Sequence, residues 1–460
     1  VNLPTTITEP ITYSFGLMPS PVKPLGKRHR WWATNAFTWG TFDEGRSMEE
    51  FEEEVVKPWT TPPVHTMDMS IQRYKKGGVK LVEIYGWNPL FGATETLNDL
   101  TDKKIRRMID ASREYMPDLK IVPYCGWGIH KKLPFWEPFG PEMARYPRGV
   151  SGWDTMLHCG ASSFPDYFVN SVKRMMKRYD VDGVYLDSTG NVPCCTRIGH
   201  GCGFRNRDGE LRGTYAIRAT REMMKRLYKL TNGEVRKDGV VFLHMGYPLL
   251  PIASFSNVML LGEGLVQKTS LADIPDDEYR AVYMSQPRGI STLICWHYHL
   301  EKKLKYNNVV GYVLAHGDFI RGTPMYLLKY GNGAQEPAYA GFNGVSGKRY
   351  PARHINTFVE TFAAGGDLRF FPYWNNRDRL KVEADGVLGS FYLNNQGDAF
   401  VVLCNPDDDA VTTRVLLRSE NGSAPMRVTD VFRNEEIAVE NGSSTVDILP
   451  QGYRLLRAKY

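Results

Sequence analysis

The chain has 460 residues, of which 42% are hydrophobic and 23% charged, and it carries a formal net charge of +6. This is the balance of a globular protein with a sizeable core, and no apolar run approaches the roughly 18 residues that a membrane span requires. The positive charge is spread along the chain rather than gathered in blocks, which argues against a nucleic-acid partner and is compatible with a carbohydrate one, a mildly anionic glycan included.

The chain starts at Val1 without an initiator methionine or signal peptide and reads as a processed or trimmed product. Residues 1–25 carry Pro4, Pro10, Pro19, Pro21 and Pro24 and read as an extended lead-in that packs along the domain after it. From Trp31 onward, short apolar runs arrive in order, each closing in glycine or polar residues. Trp31 to Trp39 is the first, Val79 to Tyr85 (closing in Gly86, Trp87 and Asn88) the second, and Leu119 to Tyr124 (closing in Gly126, Trp127 and Gly128) the third. Helices fit between them over Ser47 to Val56 and Asp102 to Tyr115, where Ile105, Met108, Ile109 and Ser112 line one face.

A third amphipathic helix, Asp166 to Tyr179, leads through a turn at Asp182 and Gly183 into Val184, Tyr185 and Leu186, a buried strand that ends abruptly in Asp187, Ser188 and Gly190. A helix over Thr214 to Leu230 and a fifth strand, Val240 to His244, follow. The sixth, Asn257 to Leu261, closes in Gly262, Glu263 and Gly264. The seventh is Ser291 to Trp296, closing in His297 and His299, and the eighth is Val309 to Ala315, closing in His316, Gly317 and Asp318. Eight such strands with helices or long loops between them predict a (β/α)₈ TIM-type barrel over residues 26–375, whose strand ends gather in one crevice. An open doubly wound sheet fits less well, because the first strand is not followed by a Gly-rich phosphate turn. Beyond residue 375 the runs become short and alternating, without helices, and predict an antiparallel β-sandwich over 376–460.

Glycoside cleavage generally uses two carboxyl groups flanking the bond, one to protonate the leaving oxygen and one to attack or to activate water. Asp187 and Glu263 are the two acids most cleanly placed at strand ends, and Asp318 is the reserve for Glu263 if the strands slip. Tyr85, Trp87, Trp127 and Trp296, with Trp39, are rings placed to stack on a sugar; Tyr185, His200, His244, His297 and Asp318 complete the expected substrate contacts. A crevice whose acids do not converge would instead make a non-catalytic glycan-binding barrel.

Seven cysteines show no paired C-x-x-C spacing. Cys195, His200 and Cys202 could ligate a metal, but the spacing matches no standard site and no fourth ligand is visible. A disulfide or buried thiols pinning the loop after Asp187 is the preferred reading, with no metal and no cofactor expected.

The motif Asp182-Gly-Val-Tyr-Leu-Asp187 resembles the D-G-x-x-x-D of the fourth strand in bacterial glycoside hydrolases built from a (β/α)₈ barrel and a C-terminal β-sandwich. The lead-in from Phe15 to Pro24, and Cys195 followed by His200 to Gly203, are similar to bacterial proteins grouped near the exo-β-N-acetylgalactosaminidases. The resemblance extends to the retaining α-galactosidase and endo-α-N-acetylgalactosaminidase families. It implies that Asp187 is a nucleophile and Glu263 an acid/base, acting on a poly- or oligosaccharide in the periplasm or outside the cell. The adjacent Asp-Glu pair of the substrate-assisted β-N-acetylgalactosaminidases has no counterpart in the expected place. Asp43-Glu44 follows the first strand, and Asp277-Glu278 lies in a helix-start context.

Overall fold

Eight strands pair in parallel, each beside its sequence neighbour, in one curled sheet: β1 Ala36–Trp39, β2 Leu81–Tyr85, β3 Lys120–Cys125, β4 Gly183–Asp187, β5 Val240–His244, β6 Val258–Leu261, β7 Ser291–Ile294 and β8 Phe319–Ile320. The computed structural model describes residues 10, 15–26, 32, 36–39, 45–60, 71, 75, 79–85, 99–126, 129–131, 133, 135–147, 150–151, 155–187, 192–246, 248–295, 303–304, 306–320, 359, 361–363, 366–376, 379–431 and 433–460. Residues of β4, β5, β6 and β7 are buried without a break, as expected of parallel strands covered on both faces. Their side chains alternate. Leu81, Val122, Tyr124, Tyr185, Phe242, Val258, Leu260 and Leu293 fill the interior, while Val82, Ile84, Ile121, Val184, Leu186, Val241, Leu243 and Met259 face the helices.

The helices outside are α1 Asp99–Tyr115, α2 Phe164–Tyr179 and α3 Ile217–Lys229. Pro165 in the first turn and a left-handed Asp180 at the end bound α2. The segment expected to open α3 is instead strand: Thr214 and Tyr215 pair antiparallel with Cys195 and Cys194. At the amino end of the barrel, Lys23 of the lead-in donates to the carbonyls of Ser254 (3.1 Å) and Ser256 (2.5 Å), and Val22 N–H donates to Arg288 O.

The D-G-x-x-x-D motif divides its work between the two ends of β4. Asp182, at the amino end, accepts from Ile121 N–H at 2.9 Å and lies within 3.3 Å of Lys120 Nζ, so it fastens β4 to β3. Gly183 is needed because a Cβ there would stand 1.8 Å from Val240 O on β5. Only Asp187 reaches the carboxyl end.

The expected eighth strand, Val309 to Ala315, is a helix, α5 Tyr306–Ala315; α4 Asp276–Val282 precedes it, beginning at the Pro275-Asp-Asp-Glu helix start. Val309, Val310, Tyr312, Val313, Leu314 and Ala315 are all buried. A helix that is apolar all round has no polar stripe to reveal its period, so its sequence reads like a buried strand. The eighth strand is Phe319–Ile320, and Asp318 therefore stands at its amino end, opposite to the end that carries Asp187.

The second face of α5 is covered by the antiparallel part of the chain: β9 Arg369–Phe371, β10 Leu380–Val382, β11 Leu388–Leu393, β12 Ala399–Cys404, β13 Val411–Leu417, β14 Arg427–Asp430, β15 Glu435–Ile437, β16 Ser443–Ile448 and β17 Tyr453–Lys459. Six of them form one sheet in the order β9-β11-β12-β17-β14-β15, and β10-β13-β16 form a second. Phe391, Leu393, Val401, Leu403, Val415, Leu417, Val446 and Leu456 make the core of this sandwich. Ser390 Oγ and Tyr392 Oη on β11 donate to the last-turn carbonyls of Ala315 (2.6 Å) and Leu314 (2.8 Å) on α5.

Asp318 accepts from Ser285 N–H at 2.9 Å and faces Arg288 and Tyr279; burial raises its carboxyl to about 7. A folded-state value above the unfolded one means that the neutral acid contributes stability below about pH 4, which is lost as pH rises through about 7. Between those limits the wild type is expected to lose on the order of 4 kcal/mol more stability than Asp318→Asn in denaturant unfolding. Parallel pH profiles for the two proteins would contradict a buried, neutral Asp318.

Candidate active site

Parallel pairing aligns Asp187 with His244 at the carboxyl ends of β4 and β5. Asp187 is 7% exposed. Its Oδ2 accepts from Tyr124 Oη on β3 at 2.5 Å, and its Oδ1 lies 3.4 Å from His244 Nδ1. The Tyr185 hydroxyl is 2.9 Å from the same Nδ1. On the other side of the imidazole, Nε2 lies 3.5 Å from Glu263 Oε1. The two expected acids thus meet across one histidine.

Glu263 is carried differently from Asp187. β6 ends at Leu261, Gly262 takes a left-handed φ of 87°, and Glu263 opens a short 3-10 turn, Glu263–Gln267. Its side chain is 48% exposed, whereas those of Asp187 and His244 are each 10% exposed. One carboxyl is therefore desolvated and hydrogen-bonded, and the other faces the crevice.

The site floor is aromatic. Tyr124 and Tyr185 stack with centroids 5.4 Å apart, and Phe242 meets Tyr185 edge-on at 5.0 Å. Tyr185 is fully buried, so the expectation that it touches substrate is corrected: it meets the site from below, through its contacts with His244 and Tyr124. Asp318 is corrected as well, since it is buried at the opposite end of the barrel. His316 is likewise structural: Nδ1 faces Tyr312 O at 2.7 Å, and Nε2 faces Asp276 Oδ1 at 2.9 Å, an oxygen that also accepts from Tyr373 Oη. His200 is turned onto Cys195, with Nδ1 3.7 Å from the sulfur. All seven cysteines are free, so the loop after Asp187 holds thiols and not a disulfide. Tyr85 closes β2; its side chain and that of Trp39, together with Trp87, Trp127, Trp296, His297 and His299, lie outside the described residues.

Two contacts of the acids, and one buried charge deeper in the barrel, are absent from the sequence-based expectation. Tyr124 reads as one more apolar member of β3, although its position two residues before Gly126 is a strand-end signal. Glu83, fully buried on the interior face of β2 beside Val122, is a charge inside an apolar run, and that interruption is its signal. Cys295, just after β7, places Sγ 4.0 Å from Glu263 Oε1.

Chemically, the arrangement offers an anion held by a tyrosine hydroxyl, an imidazole that relays a proton or orients both acids, and a solvent-facing carboxyl. Atoms of His244, Glu263 and Cys295 also lie within 4.8 Å of one another, close enough to share one metal ion.

No protein-family model matches the sequence, and no curated protein matches it. Solved structures do share its fold. A noncanonic maltogenic α-amylase from Thermotoga neapolitana is 12% identical over 93% of this chain and 98% of its own, with a TM-score of 0.57. An α-amylase from Geobacillus thermoleovorans, complexed with acarbose, is 11% identical over 93% and 99%, with a TM-score of 0.55. A β-L-arabinopyranosidase from Geobacillus stearothermophilus, in complex with arabinose, is 11% identical over 94% and 99%, with a TM-score of 0.56. The chain is similar to each of them in its barrel followed by an antiparallel β domain.

Proposed function

We propose that the protein is a retaining glycoside hydrolase acting on an oligo- or polysaccharide, with Asp187 as nucleophile and Glu263 as acid/base. The observation that carries the glycoside-hydrolase reading is the pair of carboxyls, one buried and one open, that meet across His244 at the carboxyl ends of β4 and β6; retention rests on the resemblance of the Asp182–Asp187 motif to retaining families. The fold it shares with amylases and an arabinopyranosidase supports the same substrate class.

In the first step an Asp187 carboxylate oxygen bonds to the anomeric carbon as the glycosidic C–O bond breaks, and Glu263 gives its proton to the departing oxygen. In the second, Glu263 takes a proton from water, whose oxygen displaces Asp187 from the same carbon. The Tyr124 hydroxyl favours the ionised form of Asp187 by donating to it. His244 lies between the two acids, its Nδ1 2.9 Å from the Tyr185 hydroxyl and 3.4 Å from Asp187 Oδ1 and its Nε2 3.5 Å from Glu263 Oε1, so its ring is held where it can orient either carboxyl.

The test begins with a screen of aryl glycosides and natural glycans, with product anomers followed by NMR from the first turnovers. Asp187→Asn is expected to abolish hydrolysis of every substrate. Glu263→Ala should lower activity on natural glycans by about 10²–10⁴-fold while bond cleavage in aryl glycosides with good leaving groups is spared, and azide, which attacks the glycosyl-enzyme without a base, should speed turnover of those aryl glycosides. Inverted product would replace double displacement by a single one. Glycan binding without hydrolysis by the wild type would leave a glycan-binding barrel, and full activity in both variants would move the chemistry to other residues.

Tyr124→Phe removes a hydrogen bond to a charged group, worth about 1.5–3 kcal/mol. Because the lost donor favoured the anion, the acidic limb of the kcat/KM profile should move to higher pH by about 1–2 units. A limb that stays in place would separate Tyr124 from the ionisation of the nucleophile.

A further inference from the structure

The loop that follows β4 is tied down by a cluster unrelated to the acid pair. Cys195 lies in a short strand and Cys202 just beyond a single 3-10 turn, Ile198–His200. The fold brings Cys159 to them from the segment before α2. The three sulfurs are buried and lie within 4.8 Å of one another, with Ala161 and Ala216 packed against them. Cys159 and Cys202 are 3.7 Å apart, and Cys195 Sγ is 3.7 Å from His200 Nδ1.

We propose that Cys159, Cys195, Cys202 and His200 bind one zinc ion in a closed structural site. Zinc–sulfur bonds of about 2.3 Å and zinc–nitrogen bonds of about 2.0 Å, at tetrahedral angles, give ligand separations of about 3.8 Å between sulfurs and about 3.6 Å between sulfur and nitrogen. Two of the six edges, Cys159–Cys202 and Cys195–His200, measure 3.7 Å, and the three sulfurs form one group within 4.8 Å; His200 lies beside Cys195 at the margin of that group and would close on the ion from there. A disulfide needs its sulfurs about 2.05 Å apart, and three thiols would leave one over in any pairing.

The surroundings also fit a zinc histidine. A ligating imidazole characteristically directs its second nitrogen at a carboxylate. His200 Nε2 lies 3.7 Å from Glu142 Oε1, and Glu142 is itself held by the backbone N–H and hydroxyl of Ser163. The backbone already converges on the site. Cys159 N–H donates to Met143 O at 2.9 Å, and Cys202 O accepts from Thr214 N–H and Oγ1. With four protein ligands the ion has no open position for substrate. Its effect is mechanical: it fastens the loop after β4 to the loop after β3, two neighbouring parts of the crevice rim.

The protein purified without chelator should contain about one zinc per chain by elemental analysis, falling below about a tenth in Cys202→Ser. Cobalt exchanged into the wild type should give the thiolate-to-cobalt charge-transfer absorption and intense visible bands of a tetrahedral site. His200→Asn should weaken those bands, whereas Glu263→Ala should keep them, which separates this site from the histidine, glutamate and cysteine at the active site. Cobalt spectra of the wild type decide the matter even if Cys202→Ser does not fold. Absence of zinc together with absence of a cobalt charge-transfer band, zinc retained in folded Cys202→Ser, or a Cys159–Cys202 disulfide found by mass spectrometry would each overturn the proposal.

Discussion

Parallel pairing of β4 with β5 is the constraint on which the site depends. The register that sets Val184 beside Val241 also sets Asp187 beside His244, and a slip of one residue in either strand would turn its side chain out toward the helices. That register is held from below. Asp182 binds the start of β3, Gly183 lets the carbonyl of Val240 come close, and the apolar residues above them fill both faces of the sheet. Residues at the amino end, far from any chemistry, thereby decide which atoms meet at the carboxyl end.

The parts of this arrangement that are legible in the sequence are those where an apolar run stops abruptly. Leu186 to Asp187 and Leu261 to Glu263 are such stops, and both acids stand at strand ends in the structure. Partners that depend on which strands lie side by side are not written in any local pattern. Tyr124 meets Asp187 because β3 and β4 are neighbours, and Cys159 meets Cys202 across 43 positions of chain. The eighth strand is illegible for another reason. Val309 to Ala315 is buried against the barrel on one side and the antiparallel sheet on the other, so burial erases the period that would separate helix from strand. The strand itself is too short to stand out beside that helix.

The same helix explains how the two halves of the molecule become one body. α5 lends its last carbonyls to Ser390 and Tyr392, and Gly311 lies so close to the Tyr453 ring that a Cβ there would come within 2.3 Å of it. Beside it, His316, Asp276 and Tyr373 join α5, α4 and the approach to the sandwich through polar contacts. Contacts of this kind are specific in direction as well as in distance, and they fix the sandwich against the flank of the barrel.

The rings beneath the acids carry a further implication. Tyr124, Tyr185 and Phe242 form the upper layer of the barrel core directly beneath Asp187, so among the described residues the site rests on packed core. Depth and selectivity must be built upward, by the loops that stand on the strand ends. A change in those loops leaves the packed layer untouched, whereas a change to the rings beneath Asp187 alters folding and site in a single stroke.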